Sequence, residues 1–137
     1  MIRLLPLALL ALLASFSLIR AAEPTKPAPG NRLFEMRTYY THPGRLDALN
    51  ARFRDHTNKL FVKHGMELVG YWTPQGKPDT LVYILAYPSR EAREASWKAF
   101  NADPDWKAAR EASEKDGKIV DKVESVFLDP TDYSPIK

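Results

Sequence analysis

Residues 33–40 alternate between side chains with charged or hydroxyl groups and mainly apolar ones, as in a β-strand with one face against a core. Glu35, Arg37 and Tyr39 occupy alternate positions, so they share one face of the predicted strand. Apart from Thr38, the positions between and beside them are apolar or aromatic. This segment is the predicted first strand, and it places an acid, a base and a phenol side by side.

Apolar residues spaced three and four apart predict a long helix after this strand. The helix begins after the Pro-Gly pair at 43–44 and ends at Gly65, and its apolar positions are Leu46, Leu49, Phe53, Leu60 and Phe61. A second helical region begins with Ser89 as its N-cap and runs to about residue 100. The Asp-Pro pair at 103–104 restarts the helix, in the order of a cap followed by proline, and carries it to about residue 113.

Three further segments have the composition of strands. Residues 67–73 and 80–87 are rich in β-compatible side chains, and the glycine and prolines of 74–79 predict that they pair as a hairpin. Residues 118–128 form the predicted fourth strand. The order is strand, helix, strand, strand, helix, strand, which predicts an α+β fold of the ferredoxin-like, split βαβ type with a four-stranded antiparallel sheet.

A sheet of this type has helices on one face only, so its other face needs a cover. The predicted strands carry more aromatic surface than a monomer normally exposes. The aromatic residues are Phe34, Tyr39, Tyr40, Tyr71, Trp72, Tyr83, Tyr87 and Phe127. We therefore expect a homodimer packed sheet to sheet, as in a dimeric α+β barrel, and a cavity between the sheets is its expected ligand site.

The N-terminal segment has the layout of a secretory signal peptide. Arg3 precedes an apolar run over residues 4–19, and small residues follow it at positions 21 and 22. The run is shorter than a bilayer-spanning helix, so we expect cleavage rather than a stable membrane span, although Arg20 makes the cleavage site imperfect. The chain then divides into a signal peptide, a Pro-rich linker and a folded domain, with the bounds 1–22, 23–31 and 32–137, and is expected to be exported, periplasmic or secreted.

Charge and cysteine content exclude several classes of function. The chain has 20 basic and 17 acidic residues, and residues 1–22 contain two arginines and no acid, so the mature chain is nearly neutral. Basic and acidic residues alternate instead of clustering, which argues against binding to nucleic acid. The chain has no cysteine, which excludes disulfides, thiolate metal sites and a cysteine nucleophile.

The three histidines do not form a metal-binding motif. His56 and His64 lie eight residues apart on the predicted helix, about 12 Å along its axis, which is too far to share one ion. We expect no metal and no cofactor. His56 is kept as a ligand-binding candidate, with a packing role on the helix as the alternative.

Glu35, Arg37 and Tyr39 form the strongest candidate site. An arginine on that face can fix a carboxylate, and a tyrosine hydroxyl can donate to a bound molecule. The alternative is a structural ion pair between Glu35 and Arg37, since a buried arginine needs a partner. Aromatic residues of the next two strands are further ligand-binding candidates, with core packing as their alternative role. They are Tyr71, Trp72 and Tyr83.

Short motifs along most of the mature chain resemble the NIPSNAP family domain. They include the sequence Glu-Met-Arg-Thr-Tyr at 35–39, His-Gly at 64–65, Gly-Tyr-Trp at 70–72 and Asp-Pro-Asp-Trp at 103–106. The resemblance covers about residues 33–135 and implies a dimeric α+β barrel of ferredoxin-like subunits. It does not imply a reaction.

Three functions remain open at this point. The first is an exported dimer that acts as a binding or accessory protein and holds a small apolar or carboxylate-bearing ligand. The second is a cofactor-independent oxygenase or isomerase using Arg37, Tyr39 and His56, a hypothesis that rests on fold analogy. The third is a purely structural interaction module, which a fully packed interior would favour.

Overall fold

The computed structural model describes residues 32–137, so the predicted signal peptide and linker lie outside the described residues. The strands are β1 Leu33–Thr41, β2 Glu67–Trp72, β3 Thr80–Tyr87 and β4 Val120–Leu128. The helices are α1 Leu46–Arg52, α2 Asn58–Lys63, α3 Arg90–Ala102 and α4 Pro104–Ser113. A π-helical turn, Phe53–Thr57, joins α1 to α2.

The strands form one antiparallel sheet in the order β2-β3-β1-β4. Strand β1 is central, and Arg37 lies opposite Tyr83 on one side and Ser125 on the other. Strands β2 and β3 pair as the predicted hairpin. This arrangement confirms the predicted α+β, ferredoxin-like fold and its four-stranded sheet.

The predicted first helix forms with one irregularity, the π turn between α1 and α2. Phe53, Thr57 and Phe61 are spaced four apart, and all three are buried. A regular helix of 3.6 residues per turn would rotate such positions progressively away from one face, whereas the wider π turn keeps them together. Helix α2 ends at Lys63, and Gly65 in the turn after it has a φ of +80°, a conformation that glycine adopts without strain.

Side-chain caps begin both later helices as predicted. The Ser89 hydroxyl accepts a hydrogen bond of 3.1 Å from the backbone N–H of Ala92 at the start of α3. The Asp103 carboxylate accepts one of 2.8 Å from the N–H of Asp105, and proline follows Asp103 at the first position of α4. These caps fix where α3 and α4 begin, and so set the position of their inner faces above the sheet.

The helices cover the sheet face that carries the odd-numbered residues of β1 and β3, and the core lies between them. Its buried members include Leu49, Phe61, Leu81, Tyr83, Leu85, Phe100 and Ile119. The opposite face of the sheet is open over part of its area, with Trp72 52% and Val126 49% exposed. Phe34 and Ala86 on the same face are buried, and residues of the C-terminal segment lie beside Phe34. None of the helices between residues 32 and 137 is long and apolar enough to cross a membrane.

Candidate functional site

Glu35 is a fully buried carboxylate at the centre of the sheet. One of its oxygens accepts hydrogen bonds from Arg37 at 2.6 Å, Ser125 at 2.6 Å and the Nη2 of Arg93 at 2.8 Å. Its other oxygen accepts a bond of 3.1 Å from the Nε of Arg93, which therefore binds the carboxylate through two nitrogens. The predicted Glu35–Arg37 pair is present, and a second arginine joins it.

Two aromatic side chains complete the surroundings of Glu35. The Tyr87 hydroxyl donates a hydrogen bond of 2.9 Å to the Glu35 oxygen that Arg93 Nε also binds. The indole N–H of Trp97 lies 3.3 Å from that oxygen and 2.8 Å from the Tyr87 hydroxyl. The donors come from β1, β3, α3 and β4. A single carboxylate therefore ties three strands to helix α3.

The electrostatics hold Glu35 in its ionised form. Burial on its own would raise the pKa of this carboxyl, but hydrogen bonds from Arg93 and Ser125 and the positive charge of Arg37 lower its pKa to about 2. Two arginines against one carboxylate leave the group with a net positive charge. Glu35 thus holds the side chains of Arg37 and Arg93 in place, and it does not accept a proton at neutral pH.

A cleft of about 540 Å³ lies between the sheet and the helices. Arg37 and Tyr39 reach it from β1, and Phe53 and Thr57 reach it from the π turn. Helices α3 and α4 supply the remaining wall, and the edge strand β4 closes one side. The cleft is on the helix-covered face of the sheet. The expected cavity between the sheets of a dimer, on the other face, stays a prediction.

A continuous row of two cations and three aromatic rings forms one wall of the cleft. The Arg37 guanidinium carbon lies 4.3 Å from the centre of the Trp97 ring. The Phe100 ring follows, 5.6 Å from that of Trp97 and 4.6 Å from that of Trp106. Arg52 ends the row, 5.4 Å from the Trp106 ring. We call these five residues the aromatic wall, and both of its ends are cationic.

Several buried donors around the cleft have no acceptor. The Nε atoms of Arg37 and Arg52 make no hydrogen bond, nor do the hydroxyls of Tyr71 and Tyr83. Burial raises the pKa of Tyr71 and Tyr83, so both stay protonated. Groups of this kind normally find a partner inside a protein. Of these four residues only Arg37 and Arg52 line the cleft, so a ligand with acceptor atoms suits their guanidinium groups.

Comparison with known proteins assigns the family. The model of the NIPSNAP family matches residues 34–135, nearly the whole described domain. The chain belongs to the NIPSNAP family. This confirms the resemblance read from its short motifs. No curated protein is significantly similar to the chain in sequence.

Solved structures of other NIPSNAP proteins agree with the fold of this NIPSNAP chain. A NIPSNAP family protein of unknown function from Agrobacterium tumefaciens is 25% identical, with a TM-score of 0.69, over 81% of this chain and 98% of that one. An uncharacterised NIPSNAP domain protein from Burkholderia xenovorans is 29% identical, with a TM-score of 0.65, over 75% and 98%. A Nitrosomonas europaea protein named provisionally as an antibiotic biosynthesis monooxygenase is 12% identical, with a TM-score of 0.56, over 80% and 98%, and shares the fold.

The structure brings some of the predicted site residues of this NIPSNAP domain together and separates others. Arg37 and Tyr39 line the cleft, and Glu35 supports Arg37 from behind. Tyr83 is buried below Tyr39, with ring centres 5.2 Å apart. Tyr71 stacks on Tyr83 at 5.4 Å. Tyr83 therefore belongs to the core and Tyr71 packs against it, which is the alternative role that the sequence offered for both.

His56 and Trp72 lie away from the cleft. His56 is exposed on the outer side of the π turn, so neither its ligand role nor its packing role is seen. Trp72 lies on the open face of the sheet, because alternation along β2 sends it away from Tyr71. His64 instead bonds to Asp103 at 2.7 Å. Among the described residues, no group of three or more acidic or histidine side chains is placed to hold a metal ion.

The residues that the helices contribute to the site were not identified from the sequence alone. Arg93 and Trp97 sit one turn apart on α3, where only the knowledge that this face meets the sheet would have singled them out. Arg52 was not recognised because it reads as an exposed residue of an amphipathic helix, yet it is 5% exposed. A usable signal was present in the two tryptophans and one phenylalanine of the second helical region, which share the inner side of α3 and α4.

Proposed function

We propose that this NIPSNAP domain binds a small molecule that has an apolar body and a carboxylate, in the cleft between helices and sheet. The observation that carries the proposal is the position of Arg37. Its guanidinium is fixed by Glu35, stacks on Trp97 and lines the cleft, while its Nε has no partner. An arginine held in this way is preorganised to receive an anion beside an aromatic surface.

The charge of the cleft supports the same class of ligand. Five cationic and two anionic side chains line it, although the mature chain as a whole is nearly neutral. The cationic ones are Arg37, Arg52, Arg93, Arg110 and Lys118, and the anionic ones are Glu114 and Asp121. A concave site with an excess of one charge attracts ligands of the opposite charge.

The other two functions have less support. The enzyme hypothesis rests on a fold shared with the Nitrosomonas protein, and fold does not fix reaction. Glu35 has a pKa of about 2, and none of the three histidines is among the residues that line the cleft, so this part of the chain offers no clear acid–base pair. A purely structural module would have a filled interior, whereas a cleft of about 540 Å³ is open here.

We also propose that the protein is exported and acts as a homodimer. The apolar run over residues 4–19 supports export. The open sheet face supports dimerisation, because Trp72 and Val126 are large exposed apolar residues beside the half-buried Ile84. N-terminal sequencing of the protein purified from the exporting cell tests the first proposal, and native mass spectrometry tests the second.

Calorimetric titration with 2-naphthoate, using its uncharged methyl ester as the comparison, tests the binding function. The wild-type protein should bind the acid more tightly than the ester. Arg37→Met should weaken binding of the acid by about tenfold or more, the worth of one charge-assisted hydrogen bond. Arg54→Met removes the same charge from an exposed position and should leave binding unchanged. Equal binding of acid and ester, or no binding of either, contradicts the proposal.

A further inference from the structure

We infer that the ligand of this cleft carries two acidic groups, one at each end of its apolar body, and that Arg52 receives the second one. The inference rests on the proposed function and deepens it. Arg37 contacts Trp97 at the start of the aromatic wall, Arg52 contacts Trp106 at its end, and Phe100 lies between the two tryptophans.

Arg52 is buried without a close partner for its charge. It is 5% exposed, it lines the cleft, and its Nε makes no hydrogen bond. Its nearest carboxylate is that of Glu114 at 3.3 Å, and the Ser113 hydroxyl is also at 3.3 Å. Charge-assisted bonds between arginine and a carboxylate are normally about 2.7–2.9 Å long. The contact with Glu114 is therefore loose, in contrast to the 2.6 Å bond from Arg37 to Glu35.

The negative charge near Arg52 does not fully balance its positive charge. Burial lowers the pKa of Arg52, and the contact with Glu114 offsets this effect only in part. Glu114 also faces Arg110, whose Nε is 3.6 Å away, so one carboxylate serves two guanidinium groups. An additional anion at this end, bound to the Arg52 guanidinium from the cleft, would complete the charge balance.

The π turn explains why Arg52 occupies this position. Arg52 is the last residue of α1, directly before the turn, and the Thr57 hydroxyl at its far end donates to the Arg52 carbonyl oxygen at 3.2 Å. Both residues line the cleft. Single π turns inside helices occur frequently at functional sites, where they direct side chains that a regular helix would place elsewhere. Here the turn presents a buried arginine to the cleft.

The wall between the two arginines defines the body of the ligand. The three rings offer an apolar surface made of both ring faces and ring edges, because the planes of Trp97 and Phe100 meet at 85° and those of Phe100 and Trp106 at 32°. Such a surface suits an aromatic or unsaturated body. The chemical class is therefore a diacid with an aromatic or unsaturated body, with one carboxylate at Arg37 and the other acidic group at Arg52. An aromatic dicarboxylate is the simplest member of this class.

Matched acids with one and two carboxylates test the inference on the purified protein. Calorimetry would compare 2-naphthoate with 2,6-naphthalenedicarboxylate, and 4-biphenylcarboxylate with 4,4′-biphenyldicarboxylate, so that two lengths are sampled. At least one diacid should bind about tenfold or more tightly than its own monoacid, the worth of one additional charge-assisted contact. Arg52→Met should reduce that preference to near one.

Two further variants make the test independent of any effect of Arg52→Met on folding. Glu114→Gln removes the competing carboxylate and should increase the preference for the diacid, whereas a decrease would overturn the inference. Arg54→Met is the matched control, with the same loss of charge two residues away on the exposed side of the helix, and should keep the preference. If it abolishes the preference as Arg52→Met does, long-range attraction and not contact at Arg52 is responsible.

The outcome also separates this inference from the binding function. If mono- and diacids of both lengths bind with equal affinity, the second acidic group is ruled out, while the proposed binding function stands. If none of the four acids binds, the proposed binding function itself fails. A diacid preference that depends on Arg52 and rises in Glu114→Gln supports both.

Discussion

The replacement Glu35→Gln tests whether one buried carboxylate holds the site together. The side chain keeps its shape but loses its charge, and its amide N–H₂ group would face donors from Arg37, Arg93 or Tyr87. Removing one partner of a buried ion pair costs about 3–5 kcal/mol. The lowered pKa gives a similar value, since a shift from 4.5 to about 2 corresponds to roughly 3 kcal/mol.

Chemical denaturation at pH 7 would measure this loss directly. We expect the free energy of unfolding of Glu35→Gln to fall by about 3 kcal/mol, with a decrease in Tm of about 10 °C or more. Glu67→Gln is the matched control, because Glu67 forms an exposed pair with Arg32 and is 58% exposed in its side chain. Surface pairs are worth about 0–1 kcal/mol, so this variant should change stability little.

The pH dependence provides a second, independent check. The folded-state pKa of Glu35 is depressed, so its stabilisation is complete above pH 4.5 and is lost as the pH falls towards 2. The stability difference between wild type and Glu35→Gln should therefore shrink over that range, because the wild-type group becomes neutral as well. A difference below about 1 kcal/mol at pH 7, or one that grows on acidification, would refute the role assigned to Glu35.

Three further changes have defined expected results. Arg37→Met should cost only about 1–2 kcal/mol in a urea titration, because a second arginine and a serine still hold Glu35. Asp103→Asn should lower the Tm at neutral pH, since its ionised carboxylate caps α4 and bonds to His64, and the difference should narrow under strong acid because the pKa of Asp103 is lowered. Val126→Asp, which changes an exposed position on the open face, should convert the proposed dimer to a folded monomer in native mass spectrometry.

The parts of the fold that depend on local sequence were predictable. Alternation along β1 placed Glu35, Arg37 and Tyr39 on one face, because successive side chains of a strand must point to opposite sides. The caps at Ser89 and Asp103 were predictable for a similar reason, since each acts within three residues. In both cases the chemistry of a few neighbouring positions determines the outcome.

The helical half of the site depends on how distant segments pack. Arg93 and Trp97 are 58 and 62 residues from Glu35, and periodicity does not reveal which part of an amphipathic face lies over a given strand residue. The π turn is equally hard to predict, because one additional residue in a turn barely changes the apolar pattern. That turn explains why Arg52 faces the cleft while His56 faces solvent.

Strand β1, one of the two inner strands of this sheet, is made before the other three strands. Phe34 in β1 pairs with Leu128 in β4, and Ser125 reaches Glu35 across 90 residues of chain. Until β4 has been synthesised, β1 keeps one unpaired edge and the central carboxylate lacks one of its donors. Contacts this distant in sequence slow folding, and the complete sheet cannot form before β4 has been made. A chain truncated before residue 120 would keep that edge open, ready to pair with a strand of another molecule.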